Sequence, residues 1–252
     1  MKLFDLGGKV AIVTGGNGGI GRGIALGLAQ AGADVCIAAR DAAKSEGVQR
    51  EIAALGRRSI AVRCDVDQST DIEAAIDTAR DAFGAIHILV NNAGRAVIKA
   101  PEAMTDEEWL SVIDTNLNAV FRFCRAVHPH LKSAGGGKIV NIGSMYSLFG
   151  SPLVPSYAAS KGGVIQLTKS LAVAWAQDNV QVNAILPGWI TTDMTAPVRD
   201  MTEMYQAIVS RTPAGRFGEP EECAGAAVFL ASAASDFVTG QSLAVCGGYS
   251  IA

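Results

Sequence analysis

The chain has 252 residues, 49% of them hydrophobic and 18% charged, with a formal net charge of −3. That length suits one large α/β domain able to bury roughly 70–75% of its unfolded surface, so no disulfide or metal staple is required. The charge gives no electrostatic reason to expect nucleic acid or an anionic membrane, and the five cysteines, none in a Cys-x-x-Cys pair, read as small buried hydrophobes of a reducing compartment.

The stretch between Asp5 and Lys9 is too short for the apolar core of a signal peptide, so a soluble cytoplasmic protein is expected. Val10 to Val13 form an apolar run ending at Thr14. Gly15-Gly16-Asn17-Gly18-Gly19-Ile20-Gly21 follows, and then a helical pattern through Ile24, Leu26, Leu28 and Ala31. A glycine turn between a first strand and a first helix lets backbone approach a pyrophosphate, and the helix start offers unpaired amides and a positive dipole end. No Gly-Lys-Ser/Thr follows, so this is not a Walker loop. A second strand, Asp34 to Ala39, leads into Arg40. Such a strand end tests the adenosine ribose: an acid favours NAD, a nearby Arg accommodates the extra phosphate of NADP. Ala39 is not acidic and Arg40 is basic, which favours NADP(H) while leaving NAD(H) possible; Asp41 either pairs with Arg40 or repels the phosphate.

Helical patterns then cover about 42–55, 70–83 and 106–132, and strand-like runs cover 59–63, 86–91 and 181–186. Thr105 with Glu108 forms a capping box. Pro220 fits the first turn of a later helix carrying Ala226, Val228, Phe229 and Leu230, and a last strand spans 242–245. Alternating strands and helices predict one doubly wound parallel sheet of about seven strands, helices on both faces, and a single domain over 1–252.

Between the third helix and the strand at 181 lies a buried strand, Ile139 to Ile142, with Ser144 at its carboxyl end, where open α/β sheets place chemistry. A helix begins near Ser156 and puts Tyr157 and Lys161 on one face, so a hydroxyl, a phenol and an ammonium can converge. Residues 139–160 are uncharged, but Asn141, five serines and two prolines argue against a membrane span. His87, His128 and His130 lack metal-ligand spacing, so no metal is expected, and His128-Pro129-His130 is expected to close a helix.

In this order and spacing, the glycine turn, Asn91-Asn92-Ala93-Gly94, Asn116, Ser144, Tyr157-x-x-x-Lys161 and Pro187-Gly188 resemble the short-chain dehydrogenase/reductase family in its single-domain form, over nearly the whole chain. The resemblance implies a Rossmann-type fold with a nicotinamide cofactor. Gly15, Asn17, Gly19, Ile20 and Gly21 would line the pyrophosphate and adenosine ribose. Asp65 and Val66 would meet the adenine. Asn92, Ala93 and Gly94 would lie along the cofactor, and Ile190 and Thr192, after Pro187-Gly188, would hold the carboxamide. Tyr157 would be the proton donor and acceptor, with Lys161 favouring its phenolate and contacting the nicotinamide ribose. Ser144 would hold the substrate oxygen, and Asn116 would anchor a relay water. The resemblance further implies a homotetramer joined through the helices bearing Asn116 and Tyr157. It departs at Cys246-Gly247-Gly248, where the family usually has Asp-Gly-Gly, which leaves the subunit contact there open.

The expected activity is interconversion of a secondary alcohol and a ketone on a small molecule: a sugar, sugar acid, polyol or other carbonyl compound. The alternatives are a 3-oxoacyl thioester reductase of fatty-acid synthesis and a non-catalytic dinucleotide sensor. An enoyl-thioester reductase fits less well, because that relative spaces its Tyr and Lys more widely. Specificity is expected in 145–155 and in a lid over about 189–217.

Overall fold

The protein is described from a computed structural model covering residues 2–252. Seven parallel strands form one sheet in the order β3-β2-β1-β4-β5-β6-β7: β1 Val10–Thr14, β2 Asp34–Ala39, β3 Ser59–Arg63, β4 Ile88–Asn91, β5 Gly137–Ile142, β6 Val180–Pro187 and β7 Ser242–Val245. The chain winds outward from β1 to β3, returns to β4, and winds the other way. The order therefore reverses between β1 and β4, and a crevice opens there at the carboxyl ends of the strands.

Strand alternation divides the core. Ala11 and Val13 of β1 pack with Val35 and Ile37 of β2 against α1 (Gly19–Gln30), α2 (Ala42–Ala54) and α9 (Ala224–Ala231), through Ile24, Leu28, Ile52 and Leu230. Ile12, Cys36 and Leu89 face the other way, against α3 (Ser69–Phe83), α5 (Ala119–Ser133) and α6 (Pro155–Trp175), through Ile76, Phe123 and Leu171. Because both faces are covered, the inner strands read as unbroken apolar runs. No helix among the described residues is long and apolar enough to cross a membrane.

Several expected elements shift. The run expected at 106–132 is not one helix: α4 (Asp106–Ile113), opened by the Thr105/Glu108 capping box, passes into a π turn over Asp114–Asn118 before α5 begins. The widened turn inserts a residue, yet the buried positions Val112, Asn116, Val120 and Cys124 still recur every four residues, so the periodicity gives no warning of it. His128-Pro129-His130 does not close α5. Pro129 lies inside the helix, which runs on to Ser133 and ends with Ala134 N donating to His130 O at 3.0 Å. The fourth strand begins at Ile88 rather than Ile86, and Pro220 opens a 3-10 turn, Pro220–Cys223, ahead of α9. After β7, the Cys246 sulfur lies 3.3 Å from Ser250 Oγ; burial pushes its thiol up, but hydrogen bonds from Ser250, Gly248 and Tyr249 hold it below the ordinary value.

Candidate active site

At the crevice, the ends of β1 and β4 are sewn together. Thr14 Oγ1 accepts from Asn92 N at 2.9 Å and Ala93 N at 3.0 Å, while Asn92 Nδ2 donates to Thr14 O at 3.0 Å and Gly15 O at 3.1 Å. In the sequence Thr14 stands only as the end of the apolar run that opens the glycine turn; its side chain proves to be the tie between the two strand ends. Gly15 and Gly19 have φ of +61° and +47°, conformations that an L side chain rarely adopts. Gly21 does not line the groove as expected. It is buried in α1, where an added Cβ would collide with Gly15 O and Asn92 Nδ2. Its role is close packing of helix on turn.

The turn opens on two adjoining cavities. One, of about 250 Å³, includes Arg40, Asp65, Val66 and Asp67; the other, of about 520 Å³, runs from Asn17, Gly19 and Ile20 to Ser144, Tyr157 and Lys161. Gly15, Asn17, Arg40, Lys44, Ala93 and Gly94 belong to both, so the two form one groove. Asn92, Pro187, Gly188, Ile190 and Thr192 also border it. The groove fits a dinucleotide. The first turn of α1 has no side-chain cap at Gly18, and nothing lies within 4 Å of where a Gly18 Cβ would stand, leaving amides free to meet a phosphate. Asp41 does not pair with Arg40: its carboxylate accepts from Lys44 N at 3.0 Å to cap α2, while the residue lines the smaller cavity. Lys44, unsuspected from sequence, adds a second cation beside Arg40.

At the other end of the groove, Ser144 follows β5 and is fixed by a 3-10 turn, Met145–Ser147, its Oγ accepting from Tyr146 N at 3.2 Å. Pro155 opens α6, which presents Tyr157 and Lys161 one turn apart. The Lys161 ammonium lies 5.7 Å from the centroid of the Tyr157 ring and donates to Ile142 O at 2.7 Å. Burial pushes Lys161 down to about 8. Burial also pushes the Tyr157 phenol up, against a hydrogen bond with Ser144 that lowers it. In the ligand-free protein desolvation therefore outweighs the expected depression of the phenol by its cationic neighbour.

Asn116 sits behind these groups, fully buried, within the π turn. Its Oδ1 accepts from Arg95 N at 2.9 Å, and its Nδ2 donates to Arg95 O at 2.9 Å and Ser160 Oγ at 3.1 Å. It thus couples the chain after β4 to α6 and borders neither cavity.

A seven-stranded Rossmann-type sheet with a glycine turn at its switch point and a Ser-Tyr-Lys group at the carboxyl edge defines a nicotinamide-dependent oxidoreductase. Comparison with known proteins agrees. A family model described as Enoyl-(Acyl carrier protein) reductase matches residues 15–250. The chain is 43% identical to a 2-dehydro-3-deoxy-D-gluconate 5-dehydrogenase of Escherichia coli (strain K12), over 99% of this chain and 98% of the relative. It is 42% identical to a 3-oxoacyl-(acyl-carrier-protein) reductase of Vibrio harveyi, over 97% of this chain and 98% of that one. Among solved structures, a gluconate 5-dehydrogenase from Burkholderia cenocepacia J2315 in complex with NADP and tartrate superposes with a TM-score of 0.95 at 40% identity, covering 100% of this chain and 98% of the other. The chain belongs to the short-chain dehydrogenase/reductase family and is an NAD(P)-dependent enzyme acting on CH–OH and C=O groups.

Proposed function

We propose that this enzyme interconverts a sugar acid of the gluconate type and its keto form at a secondary hydroxyl, with NADP(H) preferred. The observation that carries the chemistry is the meeting of Ser144, Tyr157 and Lys161 at one end of the groove. The substrate class is supported by whole-length likeness to proteins named as acting on 2-dehydro-3-deoxy-D-gluconate and gluconate, and the cofactor by Arg40 and Lys44 at the adenosine end. Ser144 Oγ holds the substrate oxygen. The bound nicotinamide supplies or takes the hydride. Tyr157 gives its phenolic proton to the new alkoxide in reduction and takes it back in oxidation. With its pKa near 8, Lys161 is mostly an ammonium at neutral pH and favours the phenolate that each reduction leaves behind. Asn116 holds the chain at Arg95 and α6 in register, so that a relay water can sit beside Lys161.

The proposal treats residues 1–252 as one domain and 189–217 as a lid. Thr191 N to Gly218 O at 2.8 Å and Gly218 N to Trp189 O at 2.9 Å pin the base of that segment, while α7 (Ala196–Arg199) and α8 (Thr202–Arg211) pack through Val198 and Ile208 onto Met145, Ile165 and Leu186. It also includes a homotetramer, supported by exposed Leu110, Phe121 and Val173 on the helices flanking Asn116 and bearing Tyr157, at 54%, 41% and 82% exposure. A cytoplasmic location is supported by five free cysteines, four of them buried.

The 42% identity to a 3-oxoacyl reductase favours a second reading, reduction of an acyl thioester, so one assay must separate the two. D-gluconate and 2-dehydro-3-deoxy-D-gluconate are offered with NADP⁺ and NAD⁺, and acetoacetyl thioester with NADPH, each followed by nicotinamide absorbance. Sugar-acid turnover, faster with NADP⁺, is expected. Turnover of the thioester alone would overturn the sugar-acid reading.

A further inference from the structure

The lid carries a cation that the reaction just described does not use. Arg211, the last residue of α8, lies with its guanidinium 4.3 Å from the centroid of the Tyr249 ring and 5.2 Å from that of Phe149, and donates to the Tyr249 hydroxyl at 3.3 Å. Among the described residues it forms no ion pair, whereas Arg22, Arg57 and Arg216 each hold a carboxylate. Stacking on two rings removes rotamer freedom in advance and leaves the guanidinium edge able to grip a carboxylate through paired N–H donors. The rings beneath it lead to the chemistry. Phe149 and Tyr146 share the short loop that follows Ser144, and Tyr146 stands edge-on to Tyr157 at 6.3 Å and to Trp189 at 6.4 Å. Burial pushes the Tyr146 phenol up, and the Arg211 charge is among the groups that draw it back down, so the guanidinium acts within electrostatic reach of the ring that touches Tyr157.

Other cations are placed less well: Lys99 is held by Glu108 at 2.9 Å, and Arg40 and Arg95 line the nucleotide end of the groove. A sugar acid that reacts at a carbon remote from its carboxylate needs a cation displaced from the Ser144–Tyr157 pair, on the substrate side, and on an element that can close over it.

We propose that Arg211, steadied by Tyr249 and Phe149, is the specificity residue that takes the carboxylate of the sugar acid when the lid closes. The inference rests on the sugar-acid reading and adds to it the group that tells an acid from a neutral polyol.

The test compares the wild type, Arg211→Met and Arg211→Lys on D-gluconate and on D-gluconamide, which has the same carbon skeleton without the charge. For Arg211→Met, kcat/KM on gluconate is expected to fall roughly 10- to 100-fold, as loss of a charge-assisted pair implies. The loss should come through KM, with gluconamide turnover unchanged and Arg211→Lys recovering part of it. Equal losses on both substrates, as a misfolded lid would give, or no loss on gluconate, would overturn the assignment while leaving the sugar-acid reading intact. A wild type that oxidises neither compound, nor 2-dehydro-3-deoxy-D-gluconate, overturns that reading and the subsite with it.

Discussion

The Lys161 ammonium donates to the Ile142 main-chain carbonyl at 2.7 Å, so the helix that carries Tyr157 is fastened to the end of the strand that leads to Ser144. A second tie, from Ser147 Oγ to Lys161 O at 2.8 Å, joins the same helix to the 3-10 turn behind Ser144. Phenol and hydroxyl thus come from a strand end and the helix that follows it and share one rigid corner, which is what a proton transfer in a fixed geometry requires.

Replacing Tyr157 by Phe keeps the ring against Tyr146 and removes only the hydroxyl that carries the proton. Turnover should fall by about 10²- to 10⁴-fold while NADPH binding, followed by fluorescence, stays near wild type. Since burial raises the Tyr157 phenol above its ordinary value, it is protonated at neutral pH in the ligand-free protein. Alcohol oxidation, which needs the phenolate, should therefore speed up as pH rises, and ketone reduction should slow only on the alkaline side. A Tyr157→Phe enzyme with substantial turnover and the same opposed pH profiles would remove the tyrosine from its role.

Lys161 makes the fold itself pH-dependent. Its native pKa of about 8 lies below the ordinary 10.5, so between those values the unfolded chain binds the proton that the native chain has released. Stability attributable to this group rises with pH across that window. Below pH 8 both states are protonated, and the burial penalty, up to about 3 kcal/mol, is present in full. Urea unfolding of the wild type and Lys161→Met at one protein concentration, from pH 7 to pH 10, should show the wild type gaining on the variant as pH rises. A constant difference across the range would contradict the buried ammonium.

The parts of this site that depend on strand and helix order were legible in the chain. An apolar run, a glycine turn and a helix in immediate succession admit few folds, and a four-residue spacing must place Tyr157 and Lys161 on one face. What stayed hidden depends on tertiary approach. The π turn at Asn116 lies between Val112 and Val120, which keep the helical stripe on either side. Gly21 is one glycine among several, and only the docking of α1 on Asn92 shows that it packs rather than lines. The carboxylate of Asp41 had two plausible targets in sequence and takes a third, the start of its own helix. Tyr146, Phe149, Arg211 and Tyr249 come from segments with no common pattern, so nothing in their spacing announces that they meet.

Arg40 is exposed and lines the adenosine end of the groove beside Lys44; Asp41, Asp65 and Asp67 line the same cavity, so a phosphate there depends on these two cations. Arg40→Ala should weaken NADPH binding roughly tenfold or more, the cost of one hydrogen-bonded charge pair, and leave NADH nearly unaffected. Lys44 beside it should retain part of the preference, so the double variant Arg40→Ala/Lys44→Ala should bind the two cofactors about equally. Titration calorimetry with both cofactors checks this, and parallel losses would remove the basis for the NADP preference.

Gly94 offers the most local test of the relay. A methyl group there would stand 3.3 Å from Asn116 Oδ1 and 3.6 Å from Lys161 Nζ, in the space those two polar groups share. No positive φ burdens the position, and the nearest backbone atom, Asn92 O, is 3.7 Å away, so Gly94→Ala carries no backbone strain and little overlap. Its main effect would be to exclude a water from beside the ammonium. Turnover should drop by about 10²-fold, the low end of what a positioned proton path contributes. The midpoint of thermal unfolding should stay close to wild type, and NADPH should still bind. If kcat is unchanged in Gly94→Ala, no water bridges Asn116 and Lys161 during turnover, and Asn116 acts only through its hold on Arg95 and Ser160.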